Sequence, residues 1–152
     1  MKELIEKYGL TPHPEGGYFK EIYRSDICLD SPMTEKPRHA ATHIYFLLTT
    51  GEVSRFHRVV HDELWHFYQG DPLRLIQYDG SRIRQDTIGA GQDYIAVVPG
   101  NIWQAAETTG EYSLVGCTVA PGFDFEDFSF LSDLPDNLAR FNDIQPEFKR
   151  FV

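Results

Sequence analysis

The sequence is short of cysteine, of basic residues and of long apolar runs. Among its 152 residues only Cys28 and Cys117 are cysteines. They lie far apart and form no CxxC pair, so a zinc knuckle or redox dithiol is not expected. Both read as reduced thiols of a cytoplasmic protein, with a single disulfide as the alternative. The 14 Lys and Arg residues face 23 Asp and Glu, for a formal net charge of -9. Without a cationic surplus to displace counterions, neither nucleic acid nor an anionic membrane is an expected partner. The longest clean apolar run, Ile44–Leu48, is strand-sized and far short of the roughly 20 residues that span a bilayer. The first residues, MKELIEKYGL, lack the apolar core of a signal peptide. There is no internal repeat, linker or low-complexity segment.

Aromatic residues are abundant at 14%, with 11 Phe, 8 Tyr and 2 Trp. A chain of this length and apolar content is expected to form one domain over residues 1–152, with a core and enough aromatic surface left to line a pocket. Residues 2–8 read as a short amphipathic helix ended by Gly9. Pro12 and Pro14 then stop regular structure, and Glu15-Gly16-Gly17 is a turn. A period of two begins at Tyr18 and predicts a strand. Residues 25–40, polar and with Pro32 and Pro37, read as a loop. Strands follow at about 41–49, 52–60, 63–69, 72–78, 81–88, 93–99, 101–107 and 112–120. Glycine-bearing turns such as Asp79-Gly80 separate several of them. Many short strands of this kind predict an all-β sandwich or barrel. Short helices are expected near 131–133 and 135–142.

The stretch FHRVVHDELWHFYQG, 56–70, concentrates three histidines and two acids. Read as a helix, it places His57 and His61 four apart, the spacing of a zinc pair. Val59, Val60 and the bracketing Gly51 and Gly70 favour two strands joined at His61-Asp62. Alternation then puts Val53, Arg55, His57 and Val59 on one face, and Glu63, Trp65 and Phe67 on one face of the second strand, with His66 turned away. If these faces point inward, His57 and Glu63 meet inside the barrel. The alternative is a core histidine satisfied by its neighbour. Inward polar groups of this kind must be paired, hydrogen-bonded or used.

This stretch resembles the first cupin motif: Gly51, five residues, His57, then Glu63 six positions on, and Gly70 closing it. The motif's second histidine falls at Val59. The second cupin motif resembles VVPGNIWQAAE, where Gln104 stands in place of the histidine and Gly100 is one position early. More specifically, HPEGGYFKEIYRS, ATHIYFLLTTGEVSRFHRVVHDELWHFYQGDPL, VVPGNIWQAAE and VGCTVAPGFDFEDFSFL resemble the cupin 5 family, a domain of unknown function (985). The resemblance implies a double-stranded β-helix (cupin jelly-roll) barrel, here with short N- and C-terminal helices, and a homodimer. It implies a fold similar to deoxysugar-nucleotide epimerases, and no settled reaction.

A standard cupin metal centre uses three imidazoles and a carboxylate. With Val59 and Gln104 in two of the places, no metal or other cofactor is expected; a divalent metal at His57, Glu63 and Gln104, helped by His43, is the alternative. The same residues suit acid–base chemistry on a sugar nucleotide or keto compound: His57 as base, Glu63 as its orienter, Tyr45 or Tyr78 as acid, and Arg55 or Gln104 as donors to an enolate. Trp65 and Phe67 would wall the pocket and Gln104 would orient the ligand, a small polar molecule such as a sugar derivative. A non-catalytic binding protein and a metal-dependent dioxygenase or isomerase are the other readings. The segment 13–25 reads as an edge strand of a dimer sheet, or as a pocket wall presenting Glu21 and Tyr23. APGFDFEDFSFL reads as an acidic edge lying over the barrel, or as a cover whose carboxylate closes the pocket mouth or pairs with a histidine. Cys117 lacks a base beside it, so no nucleophilic role is expected. His13, His39 and His61 read as surface residues of loops.

Overall fold

The computed structural model describes residues 2–152. Helix α1 (Lys2–Tyr8) is followed by β1 (Thr11–Pro12), β2 (Tyr18–Arg24), β3 (Cys28–Asp30), β4 (Pro37–His39), β5 (Thr42–Thr49), β6 (Ser54–Val59), β7 (Asp62–Gly70), β8 (Leu73–Tyr78), β9 (Ile83–Ile88), β10 (Ile95–Val98), β11 (Trp103–Thr108), β12 (Tyr112–Ala120), β13 (Phe128–Phe130) and helix α2 (Pro135–Ile144). The eight strands expected between 41 and 120 are all present, displaced at their ends by no more than a residue or two. Residues 25–40 are not wholly loop. They contain the hairpin β3–β4, whose three-residue strands are too short to show a period.

The strands form two main sheets, β1-β2-β5-β12-β7-β10 and β13-β6-β11-β8-β9. This is the double-stranded β-helix of the cupins. Alternation turns Phe46, Leu48, Trp65 and Val115 of the larger sheet inward against Leu73, Leu75 and Ala106 of the smaller. A fully buried phenylalanine such as Phe46 contributes about 2 kcal/mol of transfer free energy. The smaller sheet is covered on its outer face too. Phe56, Ile76, Tyr78 and Trp103 pack there against Leu131, Phe141, Phe148 and Phe151 of the C-terminal tail. Covered on both faces, β8 and β11 are buried along most of their length. At the other side, Leu4 and Ile5 of α1 pack on Leu47 and Leu114, outside the larger sheet.

Two β-bulges decide which side chains reach the interior. Gln104 lies opposite His57 and Ala106 opposite Ser54, so Arg55 and Phe56 together face Ala105. Glu21 lies opposite Ile44 and Tyr23 opposite His43, so Ile22 is the extra residue of β2. Each bulge inverts the alternation beyond it.

Candidate functional site

A cavity of about 270 Å³ opens at one end of the barrel. Its floor is built by His57 and Val59 of β6, Glu63 of β7, Cys117 of β12, and Glu15 from the turn before β2. His57, Glu15 and Glu63 are all buried. The rim carries Arg24, Phe123, Asp124 and Phe125.

Backbone contact places Glu15. Gly16 has a φ of +114°, and a Cβ on it would lie 2.1 Å from the carbonyl oxygen of Val53. Only glycine lets the turn press so closely on the chain entering β6. The Arg55 amide donates to the Glu15 carbonyl at 2.9 Å, and the Ser54 hydroxyl donates to Glu15 Oε1 at 2.8 Å. Oε2 then lies 3.2 Å from His57 Nε2 and 3.6 Å from His13 Nδ1. The Arg55 carbonyl accepts at 2.8 Å from His57 Nδ1. Because a carbonyl only accepts, Nδ1 carries a proton, and neutral His57 turns its Nε2 lone pair toward Glu15. Phe128 stacks on the imidazole at 5.3 Å between ring centres.

Glu63 is held separately. Gln104 Nε2 donates to Glu63 Oε2 at 2.5 Å, and Trp65 Nε1 donates to Gln104 Oε1 at 2.8 Å. The Cys117 thiol lines the same floor and favours the ionised form of Glu63. Burial pushes the Glu63 carboxyl up to about 7, with the negative charge of Glu15 adding to the rise and His57 and Gln104 opposing it. Burial likewise raises Glu15 above the ordinary carboxylate range, against His13, Ser54 and Arg55. It lowers His57 below the usual imidazole value, against the attraction of Glu63. Burial also raises the Cys117 thiol far out of the range of a nucleophile.

Of the residues singled out in the sequence, His57 and Glu63 share the cavity. Glu15, not Glu63, is within hydrogen-bonding distance of His57. Gln104 is fully buried behind Glu63 and orients it rather than a ligand. Trp65 lies deeper in the core, where its indole fixes Gln104. Phe67 packs at the core's edge against Tyr94, away from the cavity. Three expectations are corrected outright. Arg55 sits in the β6 bulge, which turns it off the His57 face; its guanidinium donates to the Pro14 carbonyl and covers the Phe130 ring. Tyr45 projects from the outer face of the larger sheet onto Tyr8 and Tyr68. Tyr78 lies beneath α2 against Phe141. Neither tyrosine can serve as the acid.

Other expectations change with the same geometry. His13 lines the cavity beside Glu15. His61 is buried, bonded to Ser31 at 2.7 Å and 3.7 Å from Asp127, which also holds Arg38 through two 2.7 Å bonds. A carboxylate of the 121–130 segment thus does pair with a histidine, and Asp124 does stand at the cavity rim. His39 is half-buried against the Ser25 carbonyl. His66 faces away as expected and joins His43 at Thr118 on the outer sheet face. The segment 13–25 is the cavity wall. Phe19, Glu21 and Arg24 line it, while the Ile22 bulge throws Tyr23 outward, where it is exposed. Glu15 was the residue missed. Its one trace in the sequence is the Gly16-Gly17 pair beside it, which marks a close backbone approach.

The fold and a His-Glu cavity at one barrel end define a cupin. The chain belongs to the Cupin superfamily (DUF985) family, whose model matches residues 2–131. It is 30% identical over 153 residues to an uncharacterized protein of Saccharomyces cerevisiae, a match covering 86% of this chain and 75% of that one. Among solved structures, a hypothetical protein from Leishmania major is 32% identical with a TM-score of 0.80, covering 94% of this chain and 97% of that one. A protein from Shewanella oneidensis is 32% identical with a TM-score of 0.78, covering 94% and 95%. Oxalate decarboxylase from Bacillus subtilis, at 15% identity and a TM-score of 0.63 over 93% of this chain and 36% of that one, shares the fold.

The metal set of a standard cupin does not fit these residues. Val59 has no donor atom. The Gln104 amide oxygen already accepts from Trp65, and its nitrogen faces Glu63. His43 and His66 lie on the outer face of the larger sheet. Among the described residues no group of three or more His, Cys, Asp or Glu is arranged to hold a metal ion. No helix among them is long and apolar enough to cross a membrane.

Proposed function

We propose that the cavity is an acid–base site that moves a proton next to the carbonyl of a small keto compound, in an epimerisation or isomerisation. The observation that supports it is the buried Glu15–His57 contact of 3.2 Å at the cavity floor, with Glu63 on the same floor. Glu15 and His57 are driven toward one shared proton, since burial disfavours the carboxylate and the imidazolium alike. Glu63, titrating near 7, exists in both forms at neutral pH. One group takes the proton from carbon and the other returns one, so the enolate formed in between is discharged without net change of charge. General acids and bases work best with pKa values near the working pH.

A sugar nucleotide suits the cavity less well than an unphosphorylated compound. Among the described residues, Arg24 is the one permanent cation lining it, and Glu21 holds that guanidinium bidentately at 2.9 and 2.7 Å. A volume of about 270 Å³ is also at the lower limit of ligand pockets.

The test is hydrogen–deuterium exchange in D2O, followed by proton NMR over a panel of neutral keto sugars and cationic keto compounds. Exchange at the carbon beside the carbonyl is expected, and H57A and E15Q should both abolish it. A compound that raises the melting temperature yet never exchanges would instead support a binding protein without catalysis.

A further inference from the structure

We infer that the ligand of this cavity carries a positive charge, as an ammonium or quaternary ammonium group. The inference rests on the reading that the cavity is the functional site, and it names the class of compound taken there. Four carboxylates line the space, from Glu15, Glu21, Glu63 and Asp124, against the single guanidinium of Arg24 among the described residues. Arg24 is spent on Glu21 and on the Phe123 carbonyl, to which it donates at 3.2 Å. An anionic ligand therefore meets no free cationic donor among the described residues. A cationic one meets two buried carboxylates at the floor.

The approach to that floor is aromatic. Phe123, Phe125 and Phe128 meet edge to face at centroid distances of 5.0, 6.1 and 6.2 Å. Phe125 is 59% exposed at the rim, and Phe128 reaches inward to stack on His57. Phenylalanine offers no hydrogen bond, and the negative face of an exposed ring such as that of Phe125 attracts a cation. Rings at the entrance and carboxylates below are the two elements from which ammonium sites are built.

The charge is placed where it removes a standing cost. Glu15 is faced by His13, His57, Ser54 and Arg55, and Glu63 by His57, Glu15, Gln104 and Cys117. Arg55 attracts Glu15 but makes no ion pair with it, its guanidinium donating to the Pro14 carbonyl, so among the described residues neither carboxyl is ion-paired with a permanent cation. A cation on the floor would let both ionise, and protons would leave as it binds.

The probes are choline, its uncharged carbon isostere 3,3-dimethylbutan-1-ol, and inorganic phosphate, each titrated calorimetrically into the full chain. Choline should bind roughly tenfold more tightly than the isostere, and phosphate should not compete. Choline should bind more tightly at about pH 8 than at about pH 6, releasing protons, as the buffer dependence of the heat would report. F125A, altered at the exposed rim, should weaken choline and leave the fold intact. Equal binding of choline and its isostere, absence of choline binding, or preferential binding of phosphate would each overturn the inference. Its failure is separable from failure of the acid–base reading. Choline binding with no deuterium exchange in any keto compound removes the catalysis alone, whereas exchange in a neutral keto compound with no choline preference removes the charge alone.

Discussion

Replacing Glu63 by glutamine should stabilise the protein at neutral and alkaline pH. From its ordinary 4.5, the Glu63 carboxyl is pushed up to about 7 in the folded chain. At about 1.4 kcal/mol per pH unit, ionising it in place costs about 3 kcal/mol. The sign follows from which state binds the proton. Below 4.5 both folded and unfolded chains are protonated there, and the penalty is absent. Between 4.5 and about 7 the unfolded chain ionises first, so stability drains away as pH rises, and above that range the loss is complete. The amide oxygen introduced by E63Q would still accept from Gln104 Nε2, whose present bond to Glu63 is 2.5 Å. The substitution would drop the charge that burial penalises. E63Q should therefore exceed the parent by about 3 kcal/mol at about pH 8, or roughly 6–12 °C in melting temperature for a chain of this size. Near pH 5, where the folded Glu63 carboxyl is protonated, the gain should shrink to about 1 kcal/mol or less. Urea unfolding of both proteins across this range measures the difference directly. A difference that does not change with pH, or one that is larger at about pH 5 than at about pH 8, would refute the reasoning.

Three further outcomes are expected. Arg38→Met should destabilise by about 3–5 kcal/mol, because it leaves Asp127 buried and uncompensated; it should also weaken ligand binding, since Asp127 anchors the segment bearing Phe123, Phe125 and Phe128, and denaturation with calorimetry would register both. Gly16→Ala should cost about 1–3 kcal/mol through backbone strain and should abolish exchange, because the new Cβ displaces the turn that delivers Glu15; intact exchange in this variant would contradict the placement of Glu15. V59H combined with Q104H should acquire stoichiometric divalent metal by elemental analysis, whereas V59H alone should not, because Gln104 remains committed to Trp65 and Glu63.

Much of this was legible without coordinates. A period of two between short glycine-bearing turns is a local property of a chain with one buried face, so the strands from residue 41 to residue 120 could be read directly. The spacing of Gly51, His57, Glu63 and Gly70 marked the cavity, and Val59 marked the missing ligand. The register between strands was not legible, because no single strand records what its neighbour places opposite it. One extra residue in β6 moved Arg55 off the His57 face, and one in β2 brought Arg24 in and sent Tyr23 out. Tyr45 and Tyr78 were misplaced for a related reason: an aromatic side chain suits an inner or an outer sheet face equally, and only the packing of α1 and α2 decided which.

The sequence by itself thus determined a cupin barrel with His57 and Glu63 pointing inward and two standard ligands gone. Only the tertiary structure decided what replaces them. Glu15 lies 42 positions before His57 in the chain, and no periodicity connects a turn residue to a strand so distant. Their contact exists because Gly16 lets one backbone pass against another. That long-range steric fact brings Glu15 against His57 on the floor that Glu63 shares.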